Sequence, residues 1–169
     1  MKKIVLFSLC ILLFSAFIPK DQDADKEKER IDETLDAWHK AAAEANYNAY
    51  FNVMTEDAIF IGTDATENWN KTAFKVWAKP FFDQGKTCNF TALECHIYFD
   101  KTGKMAWFDE LLNTQMKICR GSGVLVKIGK DWKIKQYVLS MTVPNDNVTE
   151  VVKIKASIED MLLKNFQNK

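Results

Sequence analysis

Residues 105–142, MAWFDELLNTQMKICRGSGVLVKIGKDWKIKQYVLSMT, decide the fold. Apolar and polar residues alternate through most of this run, the period-2 signature of strands with one face on a core. Gly129-Lys130-Asp131 interrupts the alternation as a turn, and Thr114-Gln115 reads as an earlier one. Upstream, Leu93 to Phe99 has the same alternation, and Asp100-Lys101-Thr102-Gly103 joins it to Met105 as a hairpin, with Gly103 suited to the left-handed position of a three-residue loop.

A three-residue loop sets Asp100 opposite Lys104, so that Ile97 faces Trp107 and Cys95 faces Asp109. Continuing through the next turn, Asp109 meets Arg120 and Trp107 meets Ser122. The core face then reads Leu93, Cys95, Ile97, Phe99, Met105, Trp107, Leu111, Val124, Val126, Ile128, Trp132, Ile134 and Val138. Its polar members are Asp109, Arg120, Ser122, Gln136 and Ser140. This register depends on loop length, because a one-residue slip sends every side chain of a strand to the other face.

The chain has no net charge, which argues against a nucleic-acid footprint. Hydrophobic residues make up 47%, with five Trp and twelve Phe, enough for a core and a lined pocket or an interface. Met1-Lys2-Lys3 followed by the apolar run Ile4–Ile18 and the break at Pro19 reads as a secretory leader cut near Ser15 to Phe17, so export to a periplasm or medium is expected. An uncleaved leader would be the chain's one membrane contact. Cys88, Cys95 and Cys119 read as buried thiols, and no Cys/His spacing suggests a metal. No cofactor is expected.

Between leader and sheet, Asp21 to Arg30 reads as a charged linker. Ile31, Leu35, Trp38, Ala42 and Ala45 then recur at helical spacing. Tyr47 to Met54 suggests a short second helix and Ala58 to Ile61 a strand. A polar loop from Asp64 to Trp69 follows. Asn70 caps a third helix carrying Phe74, Trp77, Ala78, Phe81 and Phe82, which Pro80 should kink or shorten. A final helix runs from Val148 to Phe166. The chain divides into a leader or anchor (1–18), a linker (19–28), one domain (29–144) and a helical extension (145–169).

This order resembles the cone-shaped α+β fold of the nuclear transport factor 2-like (cystatin-like) superfamily, and the chain looks like its SnoaL-like branch. The resemblance is carried by Ala37-Trp38, Phe60-Ile61-Gly62-Thr63-Asp64-Ala65-Thr66-Glu67, Ala106-Trp107-Phe108-Asp109-Glu110, Cys119-Arg120-Gly121-Ser122-Gly123-Val124-Leu125, and Trp132-Lys133-Ile134 with Ser140. It implies a curved antiparallel sheet packed against three N-terminal helices, a conical pocket on the concave face, a homodimer through the outer face, and no particular reaction.

Three functions follow as expectations. The first is a binding domain for a small apolar or partly anionic molecule, contacted by Arg120, Trp107, Trp38, His39, Trp69, Ser122 and Gln136. The second is an isomerase, cyclase or dehydratase with Asp109 or Asp64 as general base. The third is a dimerisation module whose cone is filled by side chains. Two bland readings compete: Asp109 and Arg120 form a buried ion pair, and Asp64 tightens its own loop.

Overall fold

The charged segment ahead of Ile31 is helical. The computed structural model describes residues 20–168, and its first helix, α1, runs Lys20–Ala43, so residues 20–28 are helix where a linker was expected. Lys and Glu are good helix formers, and Glu27 fastens this end to the sheet, accepting from Trp132 Nε1 at 2.8 Å and pairing with Lys127 at 2.7 Å. The expected leader lies outside the described residues.

After α1 come α2 (Tyr47–Asn52), β1 (Met54–Ile61), β2 (Asn68–Asn70) and α3 (Lys71–Asp83). The Asn70 side chain accepts from Ala73 N at 2.9 Å, the expected cap. Helix α3 continues three residues past Pro80. Four long strands follow: β3 (Thr91–Phe99), β4 (Met105–Thr114), β5 (Lys117–Ile128) and β6 (Asp131–Met141). A 3-10 turn at Asn145–Asn147 leads to α4 (Val148–Gln167), of which no described residue is buried, so it does not close over the core. Among the described residues no helix is long and apolar enough to cross a membrane.

The six strands form one sheet in the order β2-β1-β6-β5-β4-β3. The meander β3 to β6 is antiparallel, and β1 joins β6 in parallel, so the sheet is mixed. Ile31, Leu35 and Trp38 of α1 are buried together with Phe108, Leu112, Leu125, Ile134 and Tyr137 of the sheet. The face that α1 covers is therefore the core face.

The register differs from the sequence expectation at the first hairpin. Asp100 pairs with Met105, its N donating to Met105 O at 2.9 Å, which leaves a four-residue loop. The Asp100 carboxylate accepts from Thr102 Oγ1 (2.7 Å) and from the backbone N of Thr102, Lys104 and Met105 (3.0–3.2 Å). One extra loop residue shifts the pairing by one, so Ile97 opposes Phe108, Cys95 opposes Glu110 and His96 opposes Asp109. The second turn slips by two, with Thr114 opposite Lys117, and keeps Asp109 and Arg120 on one face. The third turn slips by one and restores Trp132 and Ile134 to the core, after which a bulge at Lys135 turns Gln136, Val138 and Ser140 away.

The Asp100 tether is electrostatic. Its carboxyl is held down to about 2, chiefly by the Thr102 hydroxyl and then by the backbone N–H groups. A depressed carboxyl adds stability that is present above its unfolded value near 4 and lost as pH falls through 2. The Tm gap between the unaltered chain and Asp100→Ala should therefore be widest at neutral pH and close between about pH 4 and pH 2. A gap independent of pH would mean that the charge does not hold the loop.

Candidate functional site

The inward residues of β4 are Ala106, Phe108, Glu110, Leu112 and Thr114, four of them apolar or uncharged and one a carboxylate. Glu110 is 1% exposed. A lone buried carboxylate would cost several kcal/mol. Two neighbours answer it. His39 Nε2 lies 3.1 and 3.0 Å from the two carboxylate oxygens, and the Tyr137 hydroxyl donates to Oε1 at 2.8 Å.

Each partner is delivered by a different element. His39 is one helical turn beyond Leu35 on the buried side of α1, and Tyr137 is the first inward residue of β6 after the bulge. Gly121, opposite Glu110 on β5, makes the room: a Cβ there would collide with the Tyr137 hydroxyl and sit 2.6 Å from Glu110 Oε1. Burial, followed by the charge of Glu110 and the hydrogen bond to it, drives the Tyr137 phenol far above its ordinary range, so it stays a donor. Burial, with Asp32 and Glu110 adding to it, lifts the Cys95 thiol to about 12 and keeps it protonated.

His39 and Tyr137 form part of the wall of a cavity of about 370 Å³. The remaining wall is largely aromatic. Phe60 stacks on Phe74 with ring centroids 4.1 Å apart, Trp69 stacks on Trp77 at 4.7 Å, and Phe90 meets the His39 ring edge-on at 5.9 Å. Among the described residues no cluster of three or more His, Cys, Asp or Glu side chains is placed to hold a metal.

The sequence-predicted site residues separate into two groups. Trp38, His39 and Trp69 line the cavity. Asp109, Arg120, Trp107 and Ser122 lie on the outer face, which corrects their expected place in the cone; the one-residue slip at the first hairpin is the cause. There Arg120 Nη1 and His96 Nδ1 stand 3.6 and 3.2 Å from Asp109 Oδ2, so the acid–guanidinium pair exists, but half in solvent. Gln136 is exposed because of the Lys135 bulge. Asp64 is exposed and accepts from Thr66 N and Oγ1 at 2.8 and 2.6 Å, bonds that hold its carboxyl below the usual range and suit a turn rather than a base. Cys88, expected to be buried, is exposed at the cavity wall.

Glu110 and Tyr137 were missed as site residues. The signal was present in the Asp109-Glu110 tandem: on a strand, one of two adjacent acids must face the core.

The sequence profile described as the SnoaL-like domain matches residues 31–144. Solved structures of similar fold include a nuclear transport factor 2-like protein of unknown function from Pseudomonas putida, at 12% identity and TM-score 0.60 over 75% of this chain and 92% of that one. A protein of the same superfamily from Streptomyces avermitilis, provisionally assigned as a dehydratase, matches at 10% identity and TM-score 0.62 over 72% and 99%. A Novosphingobium aromaticivorans protein provisionally assigned as a scytalone dehydratase matches at 12% and 0.61 over 73% and 89%. At these identities the likeness shows the fold alone. No curated protein sequence matches the chain.

If Glu110 is a buried charge answered by His39, His39→Leu should destabilise the chain by about 3–5 kcal/mol in urea unfolding. The double variant His39→Leu, Glu110→Leu should recover part of that loss, since it removes the orphaned charge. Additive losses would show that the two side chains are not coupled.

Proposed function

We propose, on the premise that this chain belongs to the family of SnoaL-like domains, that it binds one small apolar molecule in the cavity between α1, α3 and the sheet. The observation that carries this reading is the 370 Å³ aromatic-walled cavity whose wall includes His39 and Tyr137, the two side chains that hold the buried Glu110. An apolar pocket with a few convergent polar groups is the usual form of a small-molecule site. Open volume on this scale also speaks against the third expectation, a cone filled by its own side chains.

A second reading, acid–base catalysis, is favoured by the His39–Glu110 contact. A carboxylate fixed behind one imidazole nitrogen orients the ring, leaving the other nitrogen to exchange a proton with a bound molecule. The general-base role first considered for Asp109 and Asp64 passes to His39 in this reading.

Two further proposals concern context. The outer sheet face leaves Leu93, Tyr98, Met105, Trp107 and Ile118 between 42% and 55% exposed, an apolar surface suited to a second copy of the chain. The basic start and apolar run of residues 1–18 support export.

The neutral fluorophore N-phenyl-1-naphthylamine should bind one per chain with enhanced emission. Ala78→Trp, which extends from α3 into the open volume, should abolish that binding while cooperative unfolding remains. Unchanged binding would place the probe elsewhere. Glu110→Gln should keep probe affinity and abolish deuterium exchange into bound carbon acids if the catalytic reading is right; exchange at the unaltered rate would remove it. Trp107→Glu should shift sedimentation from dimer to monomer, and a chain already monomeric before substitution would end the dimer proposal.

A further inference from the structure

Helix α4 carries apolar side chains that the domain leaves uncovered. Val148, Val152, Ile154, Ile158, Met161 and Leu163 are between 43% and 77% exposed, and among the described residues the substantial packing of α4 is confined to the turn that precedes it. A surface helix ordinarily turns its apolar stripe to a core. Apolar side chains gathered on one exposed element mark a contact surface instead.

The spacing shows what this surface fits. Val148, Val151, Lys155, Ile158 and Leu162 succeed one another at alternating steps of three and four residues, the seam of a helix that lies along another helix. One charged residue, Lys155, interrupts the seam, and Glu159 lies one turn on with its Oε1 2.7 Å from the Lys155 Nζ. A polar residue at a single seam position selects register and orientation, since it needs an answering group on the other helix. Two copies of α4 side by side and parallel would set Lys155 against Lys155. Antiparallel and centred near Ser157, they set Lys155 of each copy against Glu159 of the other.

The remaining charges follow the same symmetry. Glu150 stands as far before Ser157 as Lys164 stands after it, and Lys153 and Asp160 match to within one residue. Each acid of α4 therefore lies level with a lysine in the antiparallel pair and with its own like in the parallel one. The match is close at Lys155 and Glu159 and acts elsewhere through the longer-range field, which chooses orientation more than it adds affinity. Val151 then falls opposite Leu162, and Val152 opposite Met161.

We infer that α4 pairs antiparallel with α4 of a second copy of this chain, as a second contact of the homodimer proposed above, and the inference rests on that dimer. A twofold contact uses each pair of residues twice. Freestanding coiled-coil seams run to about three or four heptads or more. A 20-residue helix falls short of that. The α4 pair accordingly adds to the outer sheet contact, which holds the two helices at high effective concentration.

Disulfide trapping tests this in the full chain carrying Cys88→Ser, which removes the exposed thiol. Val151→Cys and Leu162→Cys variants are expressed alone and together, then oxidised. The pair expressed together should yield a cross-linked dimer and neither variant alone should. Lys155→Glu in both chains should lower that yield several-fold, and adding Glu159→Lys should restore it. Cross-linking of Val151→Cys to itself, or a yield untouched by Lys155→Glu, would overturn the antiparallel charge-matched pairing. No cross-link in a chain that sediments as a dimer would overturn the α4 contact and leave the sheet-face dimer standing. Sedimentation as a monomer would overturn both.

Discussion

A carboxylate withdrawn from water has to be met by donors, and the arrangement of this domain follows from how Glu110 is met. The donors arrive from α1 and β6, and the space for them comes from the missing side chain of Gly121 on β5. Helix, strand and neighbouring strand are thereby fixed to one point. Apolar packing alone would let α1 slide along the sheet at modest penalty, since volume-conserving repacking is well tolerated. A buried hydrogen-bonded triad is less forgiving, because any displacement leaves a charge unanswered in low dielectric.

The same anchor explains how a cavity persists beside a core that would otherwise collapse. Helix α1 is held by Ile31, Leu35 and Trp38 on one side and by His39 at its inner end. Helix α3 is held off the sheet by flat rings. Phe74 lies within 21° of parallel to Phe60, Trp69 and Trp77, and such offset pairs add about 0.5–1.5 kcal/mol each beyond the area they bury. Stacked rings set a spacing that smaller aliphatic side chains would not, and the volume beyond them stays open.

Most of this was legible in the chain. The apolar spacing of α1, the Asn70 cap, the meander and the left-handed Gly103 all appear where local chemistry predicts them, and the order of elements suffices for the family resemblance. What could not be read was parity. Asp100 can close a three- or a four-residue loop; its side chain bonds to the backbone N of Lys104 and Met105 select the longer one. The Lys135 bulge has no sequence signal as strong as a glycine. Helix residues, whose facing depends on local spacing, were therefore placed well: Trp38 and His39 are in the wall. Residues of β4, β5 and the end of β6, whose facing depends on loop counts, were not.

Parity also decides which of two similar clusters is withdrawn from solvent. Asp109 and Glu110 each stand beside a histidine. His96, Asp109 and Arg120 have side chains 51%, 33% and 51% exposed, where water and salt screen the interaction and such pairs are worth about 0–1 kcal/mol. His39 and Glu110 are 6% and 1% exposed, where removing one partner costs about 3–5 kcal/mol. The residue types are nearly the same on the two faces. One residue of loop length therefore separates a solvated surface cluster from one sealed in the core, and motif chemistry read without strand parity does not tell the two acids apart.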